Sequence, residues 1–161
     1  MVYTLKIYPY GMGRSCYRTF EVAPQFSFLE LVEKILLSFD FDFDHLFEIR
    51  TTLRHTDKTI TYSLGDFNRP SIFEVVDQAK MLNAWDDFND PCPEYGEYDI
   101  RRPLSHLEPK KGTKFFFNYD FGDSWIFVIN FQKVEPERDM PRFSGGYSCI
   151  SSKGDVEQYR Y

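Results

Sequence analysis

Two aspartates flank a glycine in the run Tyr119-Asp120-Phe121-Gly122-Asp123-Ser124-Trp125, and a tryptophan closes it. Paired carboxylates beside an aromatic ring at a strand end can bind a cation or a ligand, and together with His45 they could act as acid and base groups. The competing role is structural. Aspartates around a glycine bend accept hydrogen bonds from backbone N–H groups freed by the reversal, while Gly122 is expected to supply the positive φ of a tight turn. These residue types favour the structural role. The Asp-Phe-Gly triplet also occurs in the magnesium motif of protein kinases, but the glycine-rich loop, lysine strand and His-Arg-Asp loop that accompany it are missing from the sequence.

Arg18 interrupts an otherwise apolar strand face formed by Cys16, Phe20 and Val22, so burial would oblige it to find a partner. Asp120 or Asp123 is the natural candidate, in a pair that would join two hairpins distant in sequence. Anion binding is the functional alternative for Arg18. The three cysteines, Cys16, Cys92 and Cys149, lie far apart and read as reduced thiols; neither they nor His45, His55 and His106 have metal-ligand spacing. No metal and no cofactor is expected. No nucleophile motif and no phosphate-binding glycine loop is present either.

The elements that must position these groups follow from periodicity. Lys114 to Val134 is apolar and aromatic on both sides of the bend, which predicts adjacent antiparallel strands with Phe115, Phe117, Phe127 and Ile129 buried. Val2 to Tyr8 and Ser15 to Val22 alternate as strands around the reversal Pro9 to Gly13. Ser27 to Phe39 predicts a helix. Ser27 and Glu30 make a capping box, Phe26 and Leu31 a hydrophobic staple, and Phe28, Leu31, Val32, Ile35, Leu36 and Phe39 one apolar stripe. The run from Phe39 to Ile49 alternates like a strand yet directly continues the helix with no glycine stop, and its pattern leaves both readings open; a strand is expected from Thr59 to Leu64, a short helix from Ser71 to Leu82, and a helical turn at Pro103 to Leu107. From about residue 135 the pattern fades into an irregular tail.

At 161 residues and 42% hydrophobic content the chain suits a single domain, residues 1–161, with a substantial core; its 19% aromatic content predicts a core rich in rings. The charge is uneven. Asp86, Asp87, Asp90, Glu94, Glu97 and Asp99 stand in a segment without Lys or Arg, and these six acids account for the formal net charge of −6. This segment reads as an irregular acidic loop inserted around residues 85–99. Its interleaved Trp85, Phe88, Tyr95 and Tyr98, with Asp86 and Asp87, suit docking onto a basic protein surface; the bland alternative is that the rings pin the loop to the domain. Overall acidity argues against nucleic-acid binding, for which the nearest local patch is Arg101, Arg102, Lys110, Lys111 and Lys114. With neither a leader pattern nor an apolar run of membrane-spanning length, no membrane association and a cytoplasmic location are expected.

Arg18 in the Cys16 to Val22 strand, the Ser27 to Phe39 helix, the segment Asp44-His45-Leu46-Phe47 and the Tyr119 to Trp125 run, in that order and spacing, resemble the plasmid pRiA4b ORF-3-like family. The resemblance implies an α+β domain with a loop through Asp44 leading into a strand from about Leu46 to Leu53, and marks Arg18, His45, Asp120, Gly122, Asp123 and Trp125 as family-signature residues and the candidate site. It also implies an association with plasmids and with transposon or insertion-element passengers. Many relatives carry a cysteine-bearing tail; here Met140-Pro141-Arg142-Phe143 stands in that region with only Cys149 nearby. The expected architecture is one α+β domain: a mixed or antiparallel sheet of about five or six strands, crossed by one main helix in a roll or β-grasp-like arrangement. The expected function is a non-catalytic interaction module with an unidentified protein partner. The alternative is a nucleic-acid-binding or mobile-element-associated accessory protein, and behind it an enzyme using Asp120, Asp123 and His45.

Overall fold

The helix predicted by the capping box is present as α1, Phe28–Ser38, in a computed structural model that describes residues 1–65, 90–136 and 146–159. All four N–H groups of its first turn have acceptors. Phe28 donates to the Arg102 carbonyl, Leu29 to that of Ile100, Glu30 to the Ser27 hydroxyl and Leu31 to the Ser27 carbonyl, while the Glu30 carboxylate accepts from Ser27 N–H at 2.8 Å. The N-terminus of α1 is thereby fixed to a distant segment and needs no water.

Among the described residues, eight strands make one sheet: β1 (Val2–Pro9), β2 (Tyr17–Val22), β3 (Phe47–Arg50), β4 (Thr61–Ser63), β5 (Glu97–Asp99), β6 (Lys114–Tyr119), β7 (Trp125–Glu135) and β8 (Tyr147–Lys153). Their order is β5-β4-β3-β6-β7-β1-β2-β8, antiparallel throughout except for the β4–β5 pair. The sheet is larger than the five or six strands expected. Its two additional strands come from stretches that lack the alternating apolar pattern: β5 lies inside the expected acidic loop, and β8 inside the expected irregular tail. Both are edge strands. Each is held by backbone pairing to one neighbour, which composition does not report. Leu104–Leu107 is a 3-10 turn, as Pro103 to Leu107 predicts, and Pro93–Tyr95 is a second. The helix expected from Ser71 to Leu82 lies outside the described residues.

β6 and β7 pair as predicted, with Phe117 opposite Phe127 and Phe115 opposite Ile129. All four side chains are fully buried beneath α1. The helix packs ring against ring: Phe28 stacks on Tyr62 with centroids 4.0 Å apart and meets Phe115 edge-on at 5.5 Å, while Phe39 lies 5.1 Å from Phe127. Removing a side chain of this size from water stabilises the fold by about 1.5–3 kcal/mol, so the ring-rich core dominates the packing. Among the described residues, no helix is long and apolar enough to cross a membrane.

Candidate functional site

The register of the central strands brings four connecting segments to one end of the sheet. Pro9 pairs with Phe127, Phe47 and Trp125 both pair with Tyr119, and Tyr17 pairs with Lys153. The β1–β2 bend, the loop from α1 into β3, the β6–β7 bend and the tail after β8 therefore meet there. That end carries the family-signature residues.

Asp120 builds the β6–β7 bend. Its Oδ1 accepts from Gly122 N–H at 3.2 Å and from Asp123 N–H at 3.3 Å, its own N–H donates to the Leu46 carbonyl, and its carbonyl accepts from Ser124 N–H. The structural role expected for this carboxylate is the one it fills. The expected role of Gly122 is not: positive φ falls on Asp120 (57°) and Ser124 (54°), not on the glycine. Gly122 serves by lacking a Cβ, which would come within 3.3 Å of Asp120 Oδ1. Asp is among the few side chains that tolerate the left-handed region, because it satisfies its own bend locally.

The other oxygen of Asp120 faces His45. Nε2 of His45 lies 3.1 Å from the Tyr159 hydroxyl, 3.2 Å from Asp44 Oδ1 and 3.6 Å from Asp120 Oδ2. Beneath them the Tyr119 hydroxyl donates to the Asp42 carbonyl and accepts from Asp44 N–H at 3.1 Å; burial pushes its pKa up to about 12. Asp120 and His45 are thus brought together, with Asp44, Tyr119 and Tyr159 as partners. No described group of three or more His, Cys, Asp or Glu residues is arranged to hold a metal ion.

Arg18 is buried, at 5% exposure, but Asp120 and Asp123 are not its partners. Its guanidinium donates to the carbonyls of Ser38 (2.9 Å), Tyr17 (3.0 Å), Lys153 (3.2 Å) and Gly154 (2.8 Å), and meets the fully exposed Asp155 carboxylate at 3.3 Å. It also lies over the Phe39 ring, 4.3 Å from the centroid. The charge is accommodated by carbonyl dipoles at the C-terminal end of α1 and in the tail, where the helix dipole favours a cation. Arg18 thus clamps the tail to the helix. Gly154 makes the clamp possible: it has φ 71°, and a Cβ there would fall 2.2 Å from the Ser15 carbonyl oxygen.

The clamped tail reaches the signature bend. The Trp125 indole N–H donates to the Gln158 carbonyl at 3.3 Å, and the Gln158 side-chain oxygen accepts from Asp42 N–H at 2.7 Å. Between the β1–β2 bend and the β6–β7 bend lies an open cleft of about 550 Å³ lined by Tyr10, Met12, Asp123, Trp125, Ile126 and Gln158, among others. Asp123 and Ser124 are exposed at its rim. Of this lining, Tyr10, Met12 and Gln158 carry no signal in the sequence. Tyr10 sits in a glycine-rich reversal and Gln158 in a stretch without periodicity, so only the strand pairings bring them to Trp125.

At the β4–β5 edge, two of the four described acids of the expected exposed loop, Asp90 and Asp99, turn inward, while Glu94 is exposed. Asp99 pairs bidentately with Arg101, and Asp90 with Arg102; both carboxylates are largely buried. Burial works against ionisation of Asp90, yet the Arg102 guanidinium and Asp99 N–H together hold its carboxyl below the ordinary range. The Tyr62 hydroxyl and His106 Nδ1 are 2.6 Å apart, and burial followed by the Arg102 charge lowers the His106 pKa. Tyr98 packs on His106 and beneath Arg102. Tyr95 is 78% exposed. Trp85, Asp86, Asp87 and Phe88 lie outside the described residues. Of the expected basic patch, Lys110, Lys111 and Lys114 are exposed, whereas Arg101 and Arg102 are paired with carboxylates.

Residues 1–158 match the family described as plasmid pRiA4b ORF-3-like protein. No curated protein matches the chain. Among solved structures it is similar to a crystal structure of a protein of unknown function from Methanosarcina mazei Go1. The similarity has a TM-score of 0.59 at 21% identity and covers 94% of this chain and 68% of that one. At this identity the likeness concerns the fold.

Proposed function

This chain belongs to the plasmid pRiA4b ORF-3-like family, and we propose that it is a non-catalytic interaction module whose recognition surface is the strand end around the signature bend. The observation that carries the reading is the cleft between the β1–β2 and β6–β7 bends. It is lined by aromatic side chains with Asp123 at its rim, and the segments around it contribute Asp42, Asp44, Asp155 and Glu157 against Arg14 and Lys153. Arg18 meets Asp155 and His45 meets Asp44, so the carboxylate left available is the exposed Asp123; beside the Tyr10 and Trp125 rings it suits a basic protein segment. His45 supports a binding role over acid–base chemistry because its Nε2 is turned toward Tyr159, Asp44 and Asp120, where it braces loop, bend and tail.

Nucleic-acid binding is the second reading, favoured by the exposed Lys110, Lys111 and Lys114 ahead of β6. The pairing of Arg101 and Arg102 with buried carboxylates weakens it. Fluorescence anisotropy tests the two directly, using labelled hexa-arginine, labelled hexaglutamate and a labelled DNA duplex at low and moderate salt. Selective, salt-sensitive binding of hexa-arginine is the expected result. Binding of the duplex instead, abolished by neutralising the three lysines, would replace this reading with the second.

A further inference from the structure

Gln158 is the deepest-set polar residue of the cleft lining, 8% exposed, and its side-chain amide is half satisfied. Oε1 accepts from Asp42 N–H at 2.7 Å, whereas Nε2 is buried without a hydrogen-bond partner. The backbone N–H at Asp42 fixes which way the amide faces, because only the oxygen can accept from it. A buried donor left unpaired is unfavourable, and it marks a place where an acceptor from outside would be welcome. The same cleft has an exposed carboxylate at Asp123 and rings at Trp125 and Tyr10. Trp125 is held by its indole N–H on the Gln158 carbonyl and by Phe41, edge-on at 5.0 Å.

These groups ask for a ligand with a cationic head, an apolar stem and a nearby carbonyl. Arginine and lysine residues within a peptide have all three. We infer that the cleft is the subsite for a basic residue of an extended peptide: Asp123 neutralises its guanidinium or ammonium, the Trp125 and Tyr10 rings flank its aliphatic stem, and the Gln158 amide, whose Nε2 is buried in the free chain, shifts toward the cleft to donate to a carbonyl of the peptide backbone. The assignment rests on the interaction-module reading and sharpens it from a surface to a pocket. A free polyamine shares the cation but lacks the carbonyl, which separates the two chemistries.

The experiment uses the full chain carrying W85F. Trp125 is then its sole tryptophan, since the sequence has two. Hexa-arginine and spermidine are titrated in while Trp125 emission is followed, and labelled hexa-arginine is read by anisotropy in both this chain and the one retaining Trp85. We expect hexa-arginine to shift the emission saturably and D123N to weaken it by about tenfold. Q158E keeps the oxygen that accepts from Asp42 but removes the donor; it should weaken hexa-arginine several-fold although its added negative charge favours a cation. Spermidine should be weakened by D123N and not by Q158E. Hexa-arginine that binds by anisotropy without moving Trp125 emission, and equally well to D123N, overturns the pocket and leaves the interaction module standing. Absence of binding by anisotropy overturns both. Loss in D123N with no loss in Q158E overturns the peptide assignment in favour of a simple cation.

Discussion

The β4–β5 edge and the signature end are assembled from the same residue types, Asp, Arg, His and Tyr, and use them in opposite ways. At the edge each described carboxylate turned inward meets its own guanidinium, as Asp90 meets Arg102 and Asp99 meets Arg101, and His106 is closed against Tyr62. At the signature end the buried guanidinium of Arg18 is directed to main-chain carbonyls, and the carboxylates of Asp120 and Asp44 share a single histidine. In the first arrangement the inward charges are paired within the chain. In the second, Asp123 stays exposed beside a cleft and Gln158 keeps a buried donor unpaired. A surplus of charge in the sequence is therefore a poor guide to where charge is available. The segment carrying the whole imbalance turns two of its acids inward, while acids scattered over three other segments gather at one end.

The comparison breaks most severely if Arg18 is removed. Arg18→Ala leaves the Ser38, Lys153 and Gly154 carbonyls without their donor and releases the tail that carries Gln158 and Tyr159. Loss of a buried charged donor of this kind costs on the order of 3 kcal/mol or more. Denaturant melts should show it, and amide exchange should rise selectively from Gly154 to Tyr159. Asp155→Asn, at the exposed end of the same guanidinium, should leave stability nearly unchanged. Equal effects from the two variants would mean that the ion pair, not the carbonyls, holds the clamp.

Breaking one closed pair at the other region comes next. Asp90→Asn should cost about 2 kcal/mol at neutral pH, the scale of a lost hydrogen bond to a charged group. The pH dependence has a definite sign. Because the folded carboxyl of Asp90 lies below its ordinary value, the pair contributes fully above about pH 4 and is lost as pH falls through the depressed folded value. Thermal melts of parent and variant should therefore converge on acidification. A gap that widens toward low pH would contradict the assignment.

Much of this architecture is legible in local pattern. The capping box at Ser27 and Glu30 marks where α1 begins, and the unbroken apolar and aromatic content on both sides of Asp120 to Ser124 predicts the β6–β7 pair with its four buried side chains. What escapes the sequence is long-range. β5 and β8 have little apolar content and exist because an already formed sheet offers them an edge, so no window centred on Glu97 or Ser151 shows them. Arg18 reads correctly as a buried charge, yet its partners are carbonyls, which every residue has and no sequence distinguishes. For the candidate site, the family pattern marks Asp120 and His45 but not the contact between them, which the strand register supplies. Tyr10, Gln158 and Tyr159 emerge only when the register is known.

A smaller effect belongs to the helix that links the two regions. Its first turn is tied to Ile100 and Arg102 near the closed pairs, and its last carbonyls face Arg18. Ser27→Ala removes one of the four first-turn acceptors and should cost about 1 kcal/mol in a denaturant melt. A variant melting like the parent would mean that the Arg102 and Ile100 carbonyls suffice to hold that end.

The smallest stability effect is expected at Asp123, and it carries the most information about the contrast. Asp123 receives its place from the bend through its backbone N–H, which donates to Asp120 Oδ1, while its carboxylate is exposed. Replacing that carboxylate by an amide leaves the backbone hydrogen bond intact, so Asp123→Asn should shift stability by less than about 0.5 kcal/mol. Asp120→Asn changes the acceptor for both bend amides and should destabilise by more. If the signature end is organised for recognition, the neighbouring aspartates divide the work, one holding the bend and the other left available to a ligand. A melt in which Asp123→Asn is as damaging as Asp120→Asn would make both carboxylates structural, and the signature end would then be closed in the same sense as the β4–β5 edge.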